Sequence, residues 1–290
     1  MKYRTLLLSV AILTGATVAA AQFGGILNKA KNKIDAAKTK AAPVTDRAER
    51  AVDSFQEWIP EEEEAIGLAT AAKMIAMFGL VDDPELTKYV NLVGHSVAQF
   101  SPRPLNYRFG ILDSDIVGAY ALPGGFVFVT RAAISGMTNE AQLAGLLGHE
   151  IIHVAERHLE EQVRTNKGST WAVEEARART SAGFIDWKRR ADALLKDMFT
   201  MSLSQDKEES ADVQGARMSF SAGYTAGGLL EFLKAMEAAN ENPAKKRMFG
   251  QMLSTHPPFP HRIAILEPVV DTTGGKGKTL EDRFQKAVHR

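Results

Sequence analysis

Two histidines four residues apart, His149 and His153, carry the clearest chemical signal in the sequence. On an α-helix this spacing places both imidazoles on one face, about 6 Å apart in rise, where they can bind a single metal ion. Glu150 lies beside that face and completes the pattern His-Glu-x-x-His. A bound metal lowers the pKa of a coordinated water to about 7, and a neighbouring carboxylate can take its proton. The motif therefore predicts hydrolytic metal chemistry with Glu150 as general base.

The composition restricts the other ligands of such a metal. The chain has 290 residues, seven histidines and no cysteine, which excludes thiol catalysis, disulfide frameworks and zinc sites built on thiolates. A further protein ligand must then be a histidine or a carboxylate. Lysine and arginine together number 35, as do aspartate and glutamate, so no net charge favours binding to nucleic acid.

The best third ligand lies in the acidic segment 206–212. Glu208 and Asp212 stand four residues apart and share one face of a predicted helix. One carboxylate can bind the metal, while the other accepts a ring N–H from a ligating histidine and fixes its tautomer. The alternative is an ordinary solvated turn of an acidic helix. Because a catalytic zinc needs three protein ligands and one open position, the metal-binding interpretation is favoured.

The elements that must position these residues are mainly helices. Apolar residues recur at helical spacing around the motif and predict a helix that begins near Asn139. Helices are also predicted over residues 60–79 and after Asp83, where a proline and acidic side chains mark the start. Alternating apolar residues predict strands at 106–112 and 126–130. The pattern thus predicts both helices and strands.

The turn before the second strand allows two interpretations. In one, Pro123-Gly124-Gly125 is an ordinary turn that leads into a core strand. In the other, Gly124, Gly125 and Phe126 expose main-chain groups on an edge strand, to which an extended peptide substrate can add by hydrogen bonds. The residue pattern is compatible with both.

Four features occur together in this sequence: His149-Glu150-x-x-His153, Glu208-x-x-Ala211-Asp212, Ala121-Leu122-Pro123-Gly124-Gly125, and Thr255-His256-Pro257 with Arg262. In this combination the chain resembles the zinc metallopeptidases of the CAAX prenyl protease and heat-shock membrane protease type, which are gluzincins. The resemblance extends from about Glu61 to Val270. It implies an α+β fold, mainly α: a zincin-like metallopeptidase domain with a small β-sheet, of a soluble, exported bacterial branch. Gly118 stands where the family often has an asparagine, so that side chain is not available for a substrate contact.

The resemblance also implies roles for individual residues. It implies one zinc ion per chain, held by three ligands: His149, His153 and Glu208. Glu150 is then the general base, and Asp212 orients a ligand. His256 is expected near the zinc, where it either assists the oxyanion or caps the metal.

Other side chains near the motif have predicted positions as well. His158 follows His153 by five residues, which turns it about 140° away from the zinc face of a continuous helix, so a structural hydrogen bond is its expected role. Tyr224 is a further possible donor to an oxyanion. The segment 159–204 is predicted to be helical and to cover the cleft.

The chain is predicted to divide into four parts. Residues 1–21 have a positive start, an apolar run and an Ala-x-Ala site, as expected of a cleaved signal peptide for export to the periplasm. Residues 22–60 form a basic, alanine-rich helical arm or linker, with peripheral contact to anionic membrane lipid as the alternative role. The metallopeptidase domain covers 61–271, and 272–290 is predicted to be a flexible tail.

These features predict a zinc-dependent endopeptidase that cleaves unfolded or misassembled envelope proteins for protein quality control. Main-chain binding of an extended substrate implies broad specificity, because few side chains are read. The alternative is a non-proteolytic chaperone or assembly factor for the same proteins, whose zinc is structural or is blocked by His256.

Overall fold

The computed structural model describes the following residues: 58–166, 187–241, 256, 258–273 and 276–289. The predicted signal peptide over 1–21, and all but the last three residues of the predicted arm over 22–60, lie outside this part of the chain. Within it, no helix combines the length and the apolar character needed to cross a membrane. The described fold is mainly helical with one small sheet, which confirms the predicted fold class.

The described helices, in chain order, are α1 (Pro60–Phe78), α2 (Pro84–Ala98), α3 (Arg131–Ser135), α4 (Glu140–Ala155), α5 (His158–Thr165), α6 (Trp187–Thr200), α7 (Gln205–Ser221), α8 (Gly227–Asn240), α9 (Phe259–Thr272) and α10 (Glu281–Val288). The strands are β1 (Arg108–Leu112), β2 (Ala119–Leu122) and β3 (Phe126–Thr130). One 3-10 turn, Pro123–Gly125, connects β2 to β3. The helices predicted at 60–79, after Asp83 and from Asn139 are confirmed.

Local capping explains where the predicted helices begin. The side chain of Asp83 accepts a hydrogen bond from the Leu86 N–H, and Pro84 occupies the first helical position of α2. The side chain of Asn139 accepts from the Gln142 N–H at the start of α4. These caps satisfy backbone donors that have no partner inside the helix.

The sheet has the order β1-β3-β2, with β3 parallel to β1 and antiparallel to β2. β3 is therefore the central strand, and the interpretation of residues 124–126 as an exposed edge is wrong. The Gly124 N–H already donates to the Glu63 side chain at 3.1 Å, and Phe126 is only 1% exposed. An uninterrupted apolar run such as that of β3 is typical of a strand that is buried on both faces, and all five residues of β3 are buried. Of the described strands, β1 and β2 form the two edges of the sheet.

The fold begins before the predicted boundary at residue 61. Trp58 is buried against Ile66, Val163 and Leu194. Its backbone N–H donates to the Glu160 side chain at 2.6 Å. Residues 58–60, which were assigned to the arm, thus belong to the domain. The reason is the large apolar area of Trp58, whose burial stabilises the first turn of α1 against α5 and α6.

The prediction of a flexible tail over 272–290 is wrong for its described part. α10 packs on the domain, and Phe284 is fully buried in the main core. The segment before α10 is also held, because the Thr225 N–H donates to the Lys278 carbonyl at 3.1 Å. Arg283 pairs with the buried carboxylate of Glu140 at the start of α4. The glycine and lysine residues of the segment suggested a flexible chain. The short amphipathic helix was therefore not predicted, since Phe284 is its one large buried apolar residue.

Candidate active site

The helix that carries the motif, α4, is buried from Glu140 to Val154. Its closest approach to α7 is made by two glycines. A Cβ on Gly148 would lie 2.7 Å from the Gly215 carbonyl oxygen, and one on Gly215 would lie 2.5 Å from the His149 nitrogen. Because neither residue has a side chain, the backbones of α4 and α7 can touch. This contact places Glu208 and Asp212 of α7 beside His149.

Four side chains form a compact group of donor atoms at this crossing: His149, His153, Glu208 and His256. One nitrogen or oxygen from each lies within 4.8 Å of the others. The two histidine Nε2 atoms are 2.9 Å apart, and the Glu208 carboxylate is 3.7 Å from His149 Nε2 and 3.6 Å from His153 Nε2. His256 Nδ1 is 2.8 Å from both Glu208 oxygens. The structure thus brings together the three predicted ligands and the predicted fourth residue.

The chemistry of this group fits a zinc ion. Imidazole nitrogens with one carboxylate are a common donor set for zinc, and no thiolate is needed. Burial, together with the nearby His149, holds the pKa of His153 well below its usual range, so the ring is neutral and has a lone pair for a metal. Although burial alone raises the pKa of Glu208, the charge and hydrogen bond of His256 lower it well below the ordinary value. Glu208 is therefore a buried anion.

Asp212 lies behind the first histidine of the motif. Its Oδ1 is 2.9 Å from His149 Nδ1, and the guanidinium of Arg262 donates to both of its oxygens. Burial raises the pKa of the Asp212 carboxyl, but Arg262 and His149 outweigh this effect and lower it. A carboxylate at Nδ1 requires that nitrogen to carry the proton, which leaves Nε2 free to face the donor group.

Glu150 is buried and lies next to the donor group at the base of a cleft. Burial raises its pKa above that of an ordinary glutamate, while neighbouring His149 partly opposes the shift. A carboxyl group with increased proton affinity is suited to accept a proton and release it again. This is the position and the property that a general base at this site requires.

The cleft beside Glu150 has a volume of about 570 Å³, counting the solvent at its mouth. The edge strand β2 forms one side through Ala119, Tyr120 and Ala121. A second, largely apolar wall comes from the described part of the predicted segment 159–204, in α5, α6 and the residues after α6: Leu159, Val163, Met198, Met201 and Leu203. An extended chain on β2 would lie against this apolar surface.

Two sequence-based interpretations need correction at the site. Tyr224 is remote from the zinc donors, because its hydroxyl donates to Glu140 at the opposite end of α4. Gly124, Gly125 and Phe126 do not border the cleft, which is formed by β2 instead. The sequence did not predict β2, because this strand has only four residues between a glycine and a proline.

Sequence reasoning also missed a set of polar residues behind His153. Its Nδ1 is 2.8 Å from His158 Nδ1, and His158 Nε2 is 2.9 Å from a carboxylate oxygen of Glu156. Ser210 and Gln214 of α7 donate to the same carboxylate. A structural hydrogen bond was expected of His158, but not its partner. In the sequence, the i, i+4 spacing of Ser210 and Gln214 indicates only that one face of the helix is polar.

The chain has recognisable relatives. The model of peptidase family M48 matches residues 84–270. Beta-barrel assembly-enhancing protease of Yersinia pestis is 29% identical over 206 residues, which cover 68% of this chain and 41% of that protein. The protein of that name from Escherichia coli K12 is 30% identical over 199 residues, covering 64% and 39%. Mitochondrial metalloendopeptidase OMA1 of Homo sapiens is 26% identical over 176 residues, covering 57% and 33%. The chain therefore matches less than half of the length of each.

Proposed function

This chain belongs to peptidase family M48, a family of zinc-dependent metallopeptidases, and on that premise we propose that it is an endopeptidase. The proposed reaction is hydrolysis of peptide bonds within protein chains. The proposed zinc ligands are His149, His153 and Glu208. The observation that carries the proposal is the donor group at the crossing of α4 and α7, with the buried Glu150 beside it and an open cleft in front.

Each residue of the site has a separate role in the proposed reaction. A bound zinc ion supplies Lewis acidity toward water and toward the carbonyl oxygen of the scissile bond. Glu150 takes the proton of the attacking water and passes it to the leaving amine, a role for which its raised pKa is suited. Asp212 accepts the ring N–H of His149 and keeps that ligand in one orientation.

The substrates that we propose are unfolded or misassembled envelope proteins. A peptide can add to the edge strand β2 only where its own main chain is extended and unpaired, which excludes most folded proteins. The apolar wall of the cleft favours segments rich in large apolar side chains, which folded proteins bury. The relatives from Yersinia pestis and Escherichia coli are named for enhancing β-barrel assembly, which agrees with substrates of this kind.

The proposed location is the periplasm. Residues 1–21 have the composition of a signal peptide, and the basic arm over 22–60 is suited to peripheral contact with anionic lipid. Expression of the full chain in a bacterium tests the first point. We expect protein in the periplasmic fraction whose N-terminus is Gln22, and an intact N-terminus in the cytoplasm would contradict the proposal.

Zinc content and cleavage of a chemically unfolded model protein, measured on the same samples, test the enzyme. We expect one zinc per chain and chelator-sensitive cleavage in the wild type. Glu150→Gln should bind zinc and fold normally but lose cleavage, because an amide cannot take the proton. Glu61→Gln, at an exposed position in the first turn of α1, is the matched control and should cleave normally. Zinc-loaded wild type that leaves the unfolded protein intact would overturn the proposal.

The position of His256 supports a second candidate function. Its ring lies within the donor group, as a fourth ligand that closes the site would. In that case the chain acts as a chaperone or assembly factor until His256 leaves the metal, and His256→Ala increases cleavage. If His256 instead stabilises the oxyanion, His256→Ala lowers turnover by about 10²–10³-fold. A Glu150→Gln strain that retains envelope function would support the non-proteolytic role.

A further inference from the structure

The turn after α4 folds His158 back over the motif helix. On a continuous helix His158 would face away from His153. The helix ends at Ala155, however, and Arg157 adopts a left-handed conformation with φ 56° before α5 begins at His158. A non-glycine residue in this conformation is uncommon and needs support from its surroundings. Arg157 has that support, since its guanidinium donates to the Trp58 carbonyl and lies 3.4 Å from Glu63.

The resulting contacts fix which atoms donate along the series from His153 through His158 to Glu156. The Glu156 carboxylate accepts from Ser210 at 2.7 Å and from Gln214, and as an anion it has no proton to donate. His158 Nε2, at 2.9 Å from the same carboxylate, must therefore carry a proton. In a neutral imidazole the other nitrogen is then an acceptor. His158 Nδ1 thus accepts from His153 Nδ1 at 2.8 Å.

This direction decides which nitrogen of His153 is available to a metal. With its proton on Nδ1, His153 has its lone pair on Nε2, the atom that lies 2.9 Å from His149 Nε2 and 3.6 Å from Glu208. We propose that His158 is a positioning residue that holds His153 in the tautomer and orientation required for zinc, and that Glu156 anchors His158 to α7. The inference rests on the proposed role of His153 as a zinc ligand.

The two histidines of the motif are then held by two separate supports. His149 is held by Asp212, and His153 by His158 and Glu156. Both supports connect α4 to α7, the helix that also carries Glu208. Loss of the outer partner of a ligating histidine typically weakens metal binding by about 10–100-fold.

The test is the zinc dissociation constant, measured by competition with a chromophoric chelator. His158→Phe keeps a ring but offers no acceptor, and we expect zinc binding about 10–100-fold weaker than in the wild type. His158→Asn places an amide oxygen near the former Nδ1 and should restore most of the affinity. His158→Gln, whose amide reaches toward Glu156 instead, should resemble His158→Phe and provides a polar variant if the phenylalanine does not fold. His95→Phe, at an exposed histidine on α2, is the matched control.

Two further measurements separate the possible failures. His153→Ala tests the ligand itself, and zinc affinity equal to that of the wild type would overturn the proposed ligand set. If His153→Ala loses zinc while folded His158→Phe and His158→Gln both bind it normally, only the positioning role is overturned. Thermal unfolding with zinc and with chelator gives the second readout. An equal decrease in both conditions with unchanged zinc affinity would mean a purely structural role, whereas we expect a smaller zinc-induced rise in Tm.

Discussion

Arg262 on α9 binds both carboxylate oxygens of Asp212 on α7, with Nε 2.8 Å from Oδ2 and Nη2 2.6 Å from Oδ1. Arg262 is 2% exposed and Asp212 is fully buried. The Asp212 carboxylate also contacts His149 on α4. This ion pair therefore connects three helices at the point where the proposed zinc ligands meet.

Replacement of Arg262 by methionine should destabilise the fold by about 3–5 kcal/mol, because it leaves the Asp212 carboxylate buried without its counter-ion. Urea unfolding in the presence of a chelator measures this without a contribution from zinc. Arg217→Met, at an exposed position on α7, is the control and should change stability by less than about 0.5 kcal/mol. The double variant Arg262→Met with Asp212→Leu should regain part of the loss. Equal stability of Arg262→Met and Arg217→Met would contradict the prediction.

Gly215→Ala should separate α4 from α7, because the new methyl group would lie 2.5 Å from the His149 backbone nitrogen. We expect a loss of about 1–3 kcal/mol in the free energy of unfolding, together with weaker zinc binding. Gly227→Ala is the matched substitution at the start of α8, where the nearest atom is 3.5 Å away, and should be tolerated. Unfolding curves and zinc titrations of both variants test the prediction. Normal zinc binding by Gly215→Ala would show that the glycine contact does not position Glu208.

Met201→Glu should reduce cleavage of apolar-rich unfolded proteins by about tenfold or more, since a charge placed against apolar substrate groups costs more than 1.4 kcal/mol. Met201 is half-buried in the wall of the cleft, so the fold should tolerate the change. Met77→Glu introduces the same charge at an exposed position on α1 and should cleave normally. Zinc content and Tm should match the wild type in both. Unchanged kcat/KM in Met201→Glu would show that this wall of the cleft does not contact the substrate.

Phe284→Ala should cost about 3–5 kcal/mol, because it deletes a fully buried aromatic side chain and leaves a cavity in the main core. Asp282→Ala, at an exposed position on the same helix, should have little effect. Chemical unfolding of the two variants measures the difference. Similar stability of both would mean that α10 does not pack on the domain in solution.

The central motif was predictable from the sequence because its geometry is local. Four residues on a helix define which side chains share a face, and this holds for His149 with His153 and for Glu208 with Asp212. Local capping by proline, aspartate and asparagine likewise predicted where α1, α2 and α4 begin. Misses occurred where a short segment had weak local signals. β2 is four residues long, and α10 has a single large apolar residue, Phe284.

The remaining features depend on contacts between segments far apart in the chain. Strand pairing decides that β3 is the central strand, because β1 and β2 lie on either side of it, and that β2 is an edge strand beside the cleft. The glycine contact between α4 and α7 decides that Glu208 reaches the two histidines. The left-handed turn at Arg157 decides that His158 lies against His153. By itself, then, the sequence determined which side chains can do the chemistry, since helical periodicity acts within a few residues. Only tertiary packing decided which groups meet and which strand faces the cleft, since backbone approach and strand order are set by the whole core.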